Sequence, residues 1–212
     1  LILGNAPCSF SGDVVEQQIE GIPASETNGL YGGSDPADNS GVLRYVSIRH
    51  GGAEIGEGNE INGLTLGGVG TGTTIENIEV VGNVDDGIEF FGGTVNASGL
   101  LVWGQGDDGL DIDQAYAGTI SNSMVILNEA SDHALEIDGP EGSAPGRFTL
   151  DGLTLIGTND ECAPTGVDGE IADYRKGATG DNNNIYVTNF TAGKDIELDK
   201  ADDNAAYMAG TL

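Results

Sequence analysis

Asp86-Gly87-Ile88-Glu89-Phe90 is one of four versions of a single phrase, and its recurrence decides the fold. Asn62-Gly63-Leu64-Thr65-Leu66 precedes it. Asp108-Gly109-Leu110-Asp111-Ile112 and Asp132-His133-Ala134-Leu135-Glu136-Ile137 follow, the last with one extra residue. The leading residues lie 24, 22 and 24 positions apart. Each copy reads polar, small, apolar, polar, apolar, the alternation of a short strand that shows one face inward. A coil of this length cannot bury its apolar face alone, so neighbouring coils must stack as a solenoid.

A second phrase precedes the first in each repeat. Its cores are Val46-Ser47-Ile48-Arg49, Ile78-Glu79-Val80-Val81, Leu100-Leu101-Val102-Trp103, Met124-Val125-Ile126-Leu127, Leu153-Thr154-Leu155-Ile156 and Ile185-Tyr186-Val187-Thr188. His50, Gly82, Gly104, Asn128, Gly157 and Asn189 close them. The spacing of 32, 22, 24, 29 and 32 residues gives a minimal coil of about 22, with loops filling the longer gaps. Strands this short suit neither long helices nor wide antiparallel hairpins. The sequence predicts an all-β, right-handed parallel β-helix of at least six coils, its neighbouring strands about 4.8 Å apart.

Residues 1–200 are expected to form one such domain. Within it, 1–40 read as a decorated first coil or edge cover, 42–157 as the regular body and 158–184 as a long loop insertion. Residues 201–212 read as a capping tail or a linker. The opening Leu1-Ile2-Leu3-Gly4 lacks an initiator Met and reads as a fragment or processed product with an incomplete first coil.

Seven basic residues against 35 acidic ones give a formal charge of −28. That excludes phosphate-driven nucleic-acid binding and disfavours anionic membranes, and no run approaches the roughly 18 apolar residues of a membrane span. Such a charge attracts cations and fits an extracellular, saline or calcium-rich setting. Cys8 and Cys162 sit on coils about four rungs, or roughly 19 Å, apart, and could be bridged only by loops that fold along the solenoid.

Leu43-Arg44-Tyr45-Val46-Ser47-Ile48-Arg49-His50-Gly51-Gly52, Gly58-Asn59-Glu60-Ile61-Asn62-Gly63-Leu64-Thr65-Leu66, Asp85-Asp86-Gly87-Ile88-Glu89-Phe90-Phe91-Gly92-Gly93 and Gly106-Asp107-Asp108-Gly109-Leu110-Asp111 carry a resemblance. Their wording resembles bacterial secreted proteins with a pectin-lyase-like right-handed β-helix, many exported by type IX secretion. The resemblance covers roughly residues 1–200. It implies the fold, an extracellular or cell-surface location and further domains of the same polypeptide as neighbours.

Within the repeated phrase, the polar residue between two inward apolar ones points outward. In successive coils it is Thr65, Glu89, Asp111 and Glu136, with Glu197 continuing the row. Asp85-Asp86, Asp107-Asp108 and Asp132 come just before it, and Asp113 and Asp138 just after. Carboxylates about 5 Å apart repel by about 1 kcal/mol in water and about 3 at an effective dielectric of 20. Ca²⁺, a hard cation served by oxygen ligands, would offset this, with Asp86, Glu89, Asp108, Asp111, Asp132 and Glu136 as candidate ligands. The competing reading is a solvated acidic face whose Asp-Gly pairs do turn chemistry.

The same region resembles polygalacturonase-type glycosidases, which place Asn-x-Asp, Asp-Asp, His and Arg-x-Lys on consecutive coils. The matching residues are Asn83-Val84-Asp85, Asp107-Asp108, His133 and Arg175-Lys176, with Asp85, Asp107, Asp108, His133, Arg175 and Lys176 as catalytic candidates. That resemblance implies inverting hydrolysis, one carboxylic acid protonating the leaving oxygen while others activate water. Two departures weaken it: His133 lacks flanking glycines, and Arg175-Lys176 lacks the intervening residue. A Ca²⁺-dependent lyase would need Arg49 or Arg175 as base, and Arg49 reads instead as a turn cap paired with Glu79. Trp103 reads either as packing against Val81 and Leu127 or, turned outward beside the aspartates, as a platform for a sugar ring. The leading reading is a non-catalytic surface protein whose acidic face binds divalent cations and glycans; the alternative is a polysaccharide hydrolase or, behind it, a lyase.

Overall fold

The computed structural model describes residues 1–52, 61–158, 169–191, 195–198 and 200–212. Two parallel sheets run its length. Sheet one has seven strands: Ile2–Leu3, Leu64–Gly67, Ile88–Phe91, Leu110–Asp113, His133–Asp138, Glu170–Arg175 and Ile196–Glu197. Sheet two has eight, in six rungs: Val42–Arg49, Thr74–Val81, Ala97–Ser98 with Leu101–Trp103, Thr119–Ile126, Phe148–Ile156, and Gly180–Asn183 with Tyr186–Thr188. This is a parallel β-helix, and the four phrases fall in register: Leu64, Ile88, Leu110 and Leu135 form one inward column, Leu66, Phe90, Ile112 and Ile137 the next. All eight are buried.

The glycine of the phrase is there for space rather than for turning. A Cβ on Gly63, Gly87 or Gly109 would lie 2.3, 2.2 or 2.4 Å from a methyl of Val80, Val102 or Val125 in sheet two. It would also come within 2.6 Å of the backbone oxygen one rung on. The two sheets touch here, and only a residue without a side chain fits between them. The expectation that the Asp-Gly pairs do turn chemistry is corrected accordingly.

Sheet two folds along a line of left-handed residues. Tyr45, Asn77, Gly99, Asn122, Gly152 and Asn184 stand in register, with φ of 54°, 55°, 67°, 48°, 74° and 54°. Gly and Asn tolerate this region best, so their recurrence sets the bend at one place in each rung. The sequence aligned Met124 with Leu100; the register pairs Met124 with Leu101. Ser123 therefore takes the inward position, where its hydroxyl accepts the Leu100 N–H at 3.1 Å and donates to the Ser121 carbonyl at 2.8 Å.

The expected loop over 158–184 is also corrected, because Glu170–Arg175 and Gly180–Asn183 are strands. Residues 159–168, including Cys162, lie outside the described residues, and with them any bridge to Cys8. The Cys8 thiol points at the Phe91 carbonyl, 3.4 Å away, and burial pushes its pKa up to about 12. At the far end, helix Ala201–Met208 and the residues after it dock on the last rungs. Asp203 accepts the Gly177 N–H at 2.8 Å, and the Thr211 carbonyl accepts from Gly180 and Arg147, both at 2.9 Å.

The N-terminal segment runs along the side of the solenoid. Ala6 donates to Gly68 O at 2.7 Å, Gly93 to Pro7 O at 2.9 Å and Ser9 to Gln114 O at 3.0 Å. Glu141 and Gly142 donate to Ser9 O, and Ser143 to an Asp13 carboxylate oxygen at 2.7 Å. Residues 6–13 thus cross four rungs of sheet one. The antiparallel pair Gln17–Gln18 and Leu30–Tyr31 follows, and Tyr31 packs edge-on against Phe10 and the outward Phe91 at 5.2 and 6.0 Å between ring centres. This second small core, with Ile19, lies outside the barrel.

Candidate functional site

The outer face of sheet one carries the acidic row in register: Thr65, Glu89, Asp111, Glu136, then Asp173 and Glu197. Asp173 was missed by sequence reasoning, because Asp168-Gly169 stands five residues ahead of it, where Asp86-Gly87 stands three ahead of Glu89, so the phrase is stretched by two residues. The row faces outward but is not solvated at its centre, which corrects that expectation. Asp86, Glu89 and Asp111 are 7%, 6% and 9% exposed. Part of the cover is the N-terminal segment: Ile19, Glu20 and Ile22 lie over Asn62 and Thr65 around a cavity of about 120 Å³.

Three sets of groups come together, each with ligand atoms within 4.8 Å of one another: Asp86, Glu89 and Asp111; Asp85, Asp86 and Asp107; and Asp108, Asp132 and His133. The six carboxylates read as one metal site are thus divided, and Glu136 goes elsewhere. It pairs with Arg175, whose Nε also binds Asp138 at 2.6 Å, while Lys176 binds Asp138 at 2.7 Å and stands 3.8 Å from Asp113.

Two aspartates hold the rungs together. Asp86 accepts the backbone N–H of Asp108 at 2.9 Å, and Asp108 accepts that of His133 at 2.7 Å, so each tethers the next coil. Asn83 adds bonds to the carbonyls of Asp86 and Ile61. Asp108 also bonds the His133 ring at Nδ1, 2.9 Å away. Burial would lower the His133 pKa, but the hydrogen bond and charge of Asp108, with Asp132 and Glu136, outweigh it and lift the ring to about 9. A ring held in its charged form by these carboxylates offsets part of their charge, and its Nδ1 is already engaged by Asp108.

Asp86, Glu89 and Asp111 have no such cation. Burial first, and then the neighbouring charges (Asp108 on Asp86, Asp86 on Glu89, Glu89 on Asp111), holds all three well above the usual carboxylate range. Burial and Asp108 raise Asp107 to about 6; burial raises Asp113 to about 6 against the pull of Lys176. Glu136 reaches about 8 through burial and Asp108, with Arg175 opposing. Asn62 donates to both Glu89 and Thr65, yet its buried Oδ1 has no partner, and neither has Oδ1 of Asp111. Asp86, Glu89 and Asp111 therefore make an all-oxygen set suited to a hard divalent cation, with the Asn62 amide nitrogen turned toward Glu89.

Asp85, Asp107, Asp108 and His133 gather at the start of the strands. Arg175 pairs in register with Asp138, five residues along from His133, and its guanidinium reaches back to Glu136, which hydrogen-bonds Asp108 in turn. Asp85, Asp86 and Asp107 lie within 4.8 Å of one another, closer than the roughly 6.5–9.5 Å that inverting hydrolysis needs for its water. Arg49 pairs with Glu79 at 2.6 Å, as the turn-cap reading expects. Trp103 is 52% exposed on the outer face of sheet two, between Val81 and Ile126 in register.

Fold and site together define a parallel β-helix with an acidic, partly roofed outer face on one sheet. Over residues 1–212 the chain matches the pectate-lyase-like β-helix domain, and it belongs to that family. No curated protein and no solved structure matches it.

Proposed function

We propose that this domain is a non-catalytic module with a polysaccharide-related role outside the cell, built around a Ca²⁺-type site at Asp86, Glu89 and Asp111. The observation that carries the reading is a set of three buried carboxylates with no cationic partner, one of whose oxygens, Oδ1 of Asp111, has no hydrogen-bond partner. Burying carboxylates without a counter-ion costs several kcal/mol in effect, and a bound cation removes that cost. The acidic composition and the family fit a secreted, bacterial cell-surface setting where calcium is plentiful, and type IX secretion is the export route that goes with it.

Thermal unfolding with calcium and with chelator tests this. Calcium at about 100 times its dissociation constant should stabilise by about 2.7 kcal/mol, and Glu89→Gln should abolish that gain. A melting curve indifferent to both additions refutes the site. The hydrolase alternative draws on Asp107, raised to about 6 as an acid catalyst needs. Reducing ends released from polygalacturonate, and lost in Asp107→Asn, would favour it over the binding module.

A further inference from the structure

Sheet two carries an uncharged window in a chain of net charge −28. On the start side of its bend, the outward columns run through Thr74, Asn96, Thr119 and Thr149, and beside them Ser98 and Ser121, with exposed Asp151 next in register after Ser121 and Asp181 after Thr149. With Glu76 at its margin, this polar surface lines a groove of about 360 Å³. Beyond the bend the outward columns are apolar: Leu101 with Met124, and Val81, Trp103, Ile126 and Ile156. Of the acids that border the window, Glu76 pairs with Arg44 at 3.0 Å, Glu79 with Arg49 at 2.6 Å and Asp181 with Arg147 at 3.0 Å, while Asp151 accepts from the Asn184 amide at 2.7 Å.

We infer that the outer face of sheet two binds an extended neutral polysaccharide, with hydroxyl and amide groups in the groove and a sugar ring on Trp103. The chemistry of the surface selects this occupant. A half-exposed indole offers an apolar face with a polar edge, the pairing that suits a ring of alternating C–H and O–H groups. Ser, Thr and Asn supply donors and acceptors without charge. An anionic uronan would find no unpaired cation here, and a second copy of the chain would bring a like charge of −28 against this one. Ser98 and Trp103 stand on opposite sides of the bend at Gly99, so the groove and the indole are separate subsites that an oligomer, and not a single ring, would fill. The inference is independent of the cation site, which lies on the other sheet.

Trp103 is the single tryptophan of the chain, so intrinsic fluorescence reports this face alone. The test titrates the whole protein with neutral oligomers of β-glucan, xylan and mannan, with their monosaccharides and with oligogalacturonate. A saturable change of emission is expected with at least one neutral oligomer, with chelator or calcium present, and none with monosaccharides or oligogalacturonate. By calorimetry, Trp103→Ala should weaken that binding about tenfold or more. Ser121→Asp, which puts a charge into the groove and leaves the indole in place, should weaken it too. Circular dichroism confirms that both variants are folded. The inference is overturned if no neutral oligomer changes the emission, if oligogalacturonate alone does, or if both folded variants bind as the parent does.

Discussion

Replacing Asp111 by Asn should stabilise the calcium-free protein and at the same time abolish its response to calcium. Asp111 stands in register between Glu89 and Glu136. At a strand spacing of about 4.8 Å and an effective dielectric of 20, each charged neighbour would repel it by about 3.5 kcal/mol. The protein avoids most of this by holding protons in the row, at a cost of about 1.4 kcal/mol for each pH unit above the group's pKa. Asn keeps the shape and carries no charge, so at pH 8 in chelator the variant should gain about 1–3 kcal/mol. For a chain of this size that is a rise in Tm of about 3–8 °C. Calcium should then add nothing, because one ligand oxygen has gone. Scanning calorimetry of parent and variant, each with calcium and with chelator, reads all four states. A variant that melts lower in chelator, or one that still gains stability from calcium, refutes the argument.

Without added cation, Tm should fall as pH rises from 5 to 9. Asp107 and Asp113 move from 3.8 to about 6, Glu136 from 4.5 to about 8 and His133 from 6.5 to about 9, so the folded state holds the extra protons and loses that advantage as each titrates. A flat or rising profile contradicts this. Arg175→Gln should cost about 2–3 kcal/mol in urea unfolding at pH 8, since it takes the cation from half-buried Glu136 and leaves buried Asp138 with Lys176 alone. Lys176 alone holding Asp138 without loss would show otherwise. Gly87→Ala should cost about 2–3 kcal/mol by overpacking Val102, and the double variant with Val102→Ala should recover part of it.

What the sequence showed was what repeats. Four copies of one phrase suffice to place Leu64, Ile88, Leu110 and Leu135 in a column, and with them the row from Thr65 to Glu136. The misreadings arose where the repeat weakens. Ser123 is polar, so the phrase around Met124 was taken one residue late, although its hydroxyl bonds fit it to the inward position. Asp173 follows a long insertion, and its Asp168-Gly169 stands two residues further ahead of it than the Asp-Gly of the earlier copies stands ahead of theirs. Part of the roof over the row comes from residues 19–22, in a segment that repeats nothing, so the cover leaves no periodic trace in the sequence. Arg175 and Lys176 were legible as cations near the acids, but not as partners at the far ends of the strands, because that placement depends on register and not on order along the chain.

The N-terminal crossing has a consequence for how the molecule comes apart. A stack in which each layer meets only the layers above and below can fray from any point and open one layer at a time. The stretch from Ala6 to Asp13 removes that freedom, since its hydrogen bonds to Gly68, Gly93, Gln114 and Glu141 bind four layers with a single ligature. None of the four can peel away without loosening it for the others, so hydrogen exchange across them should report one common opening energy, and the layers beyond its reach their own.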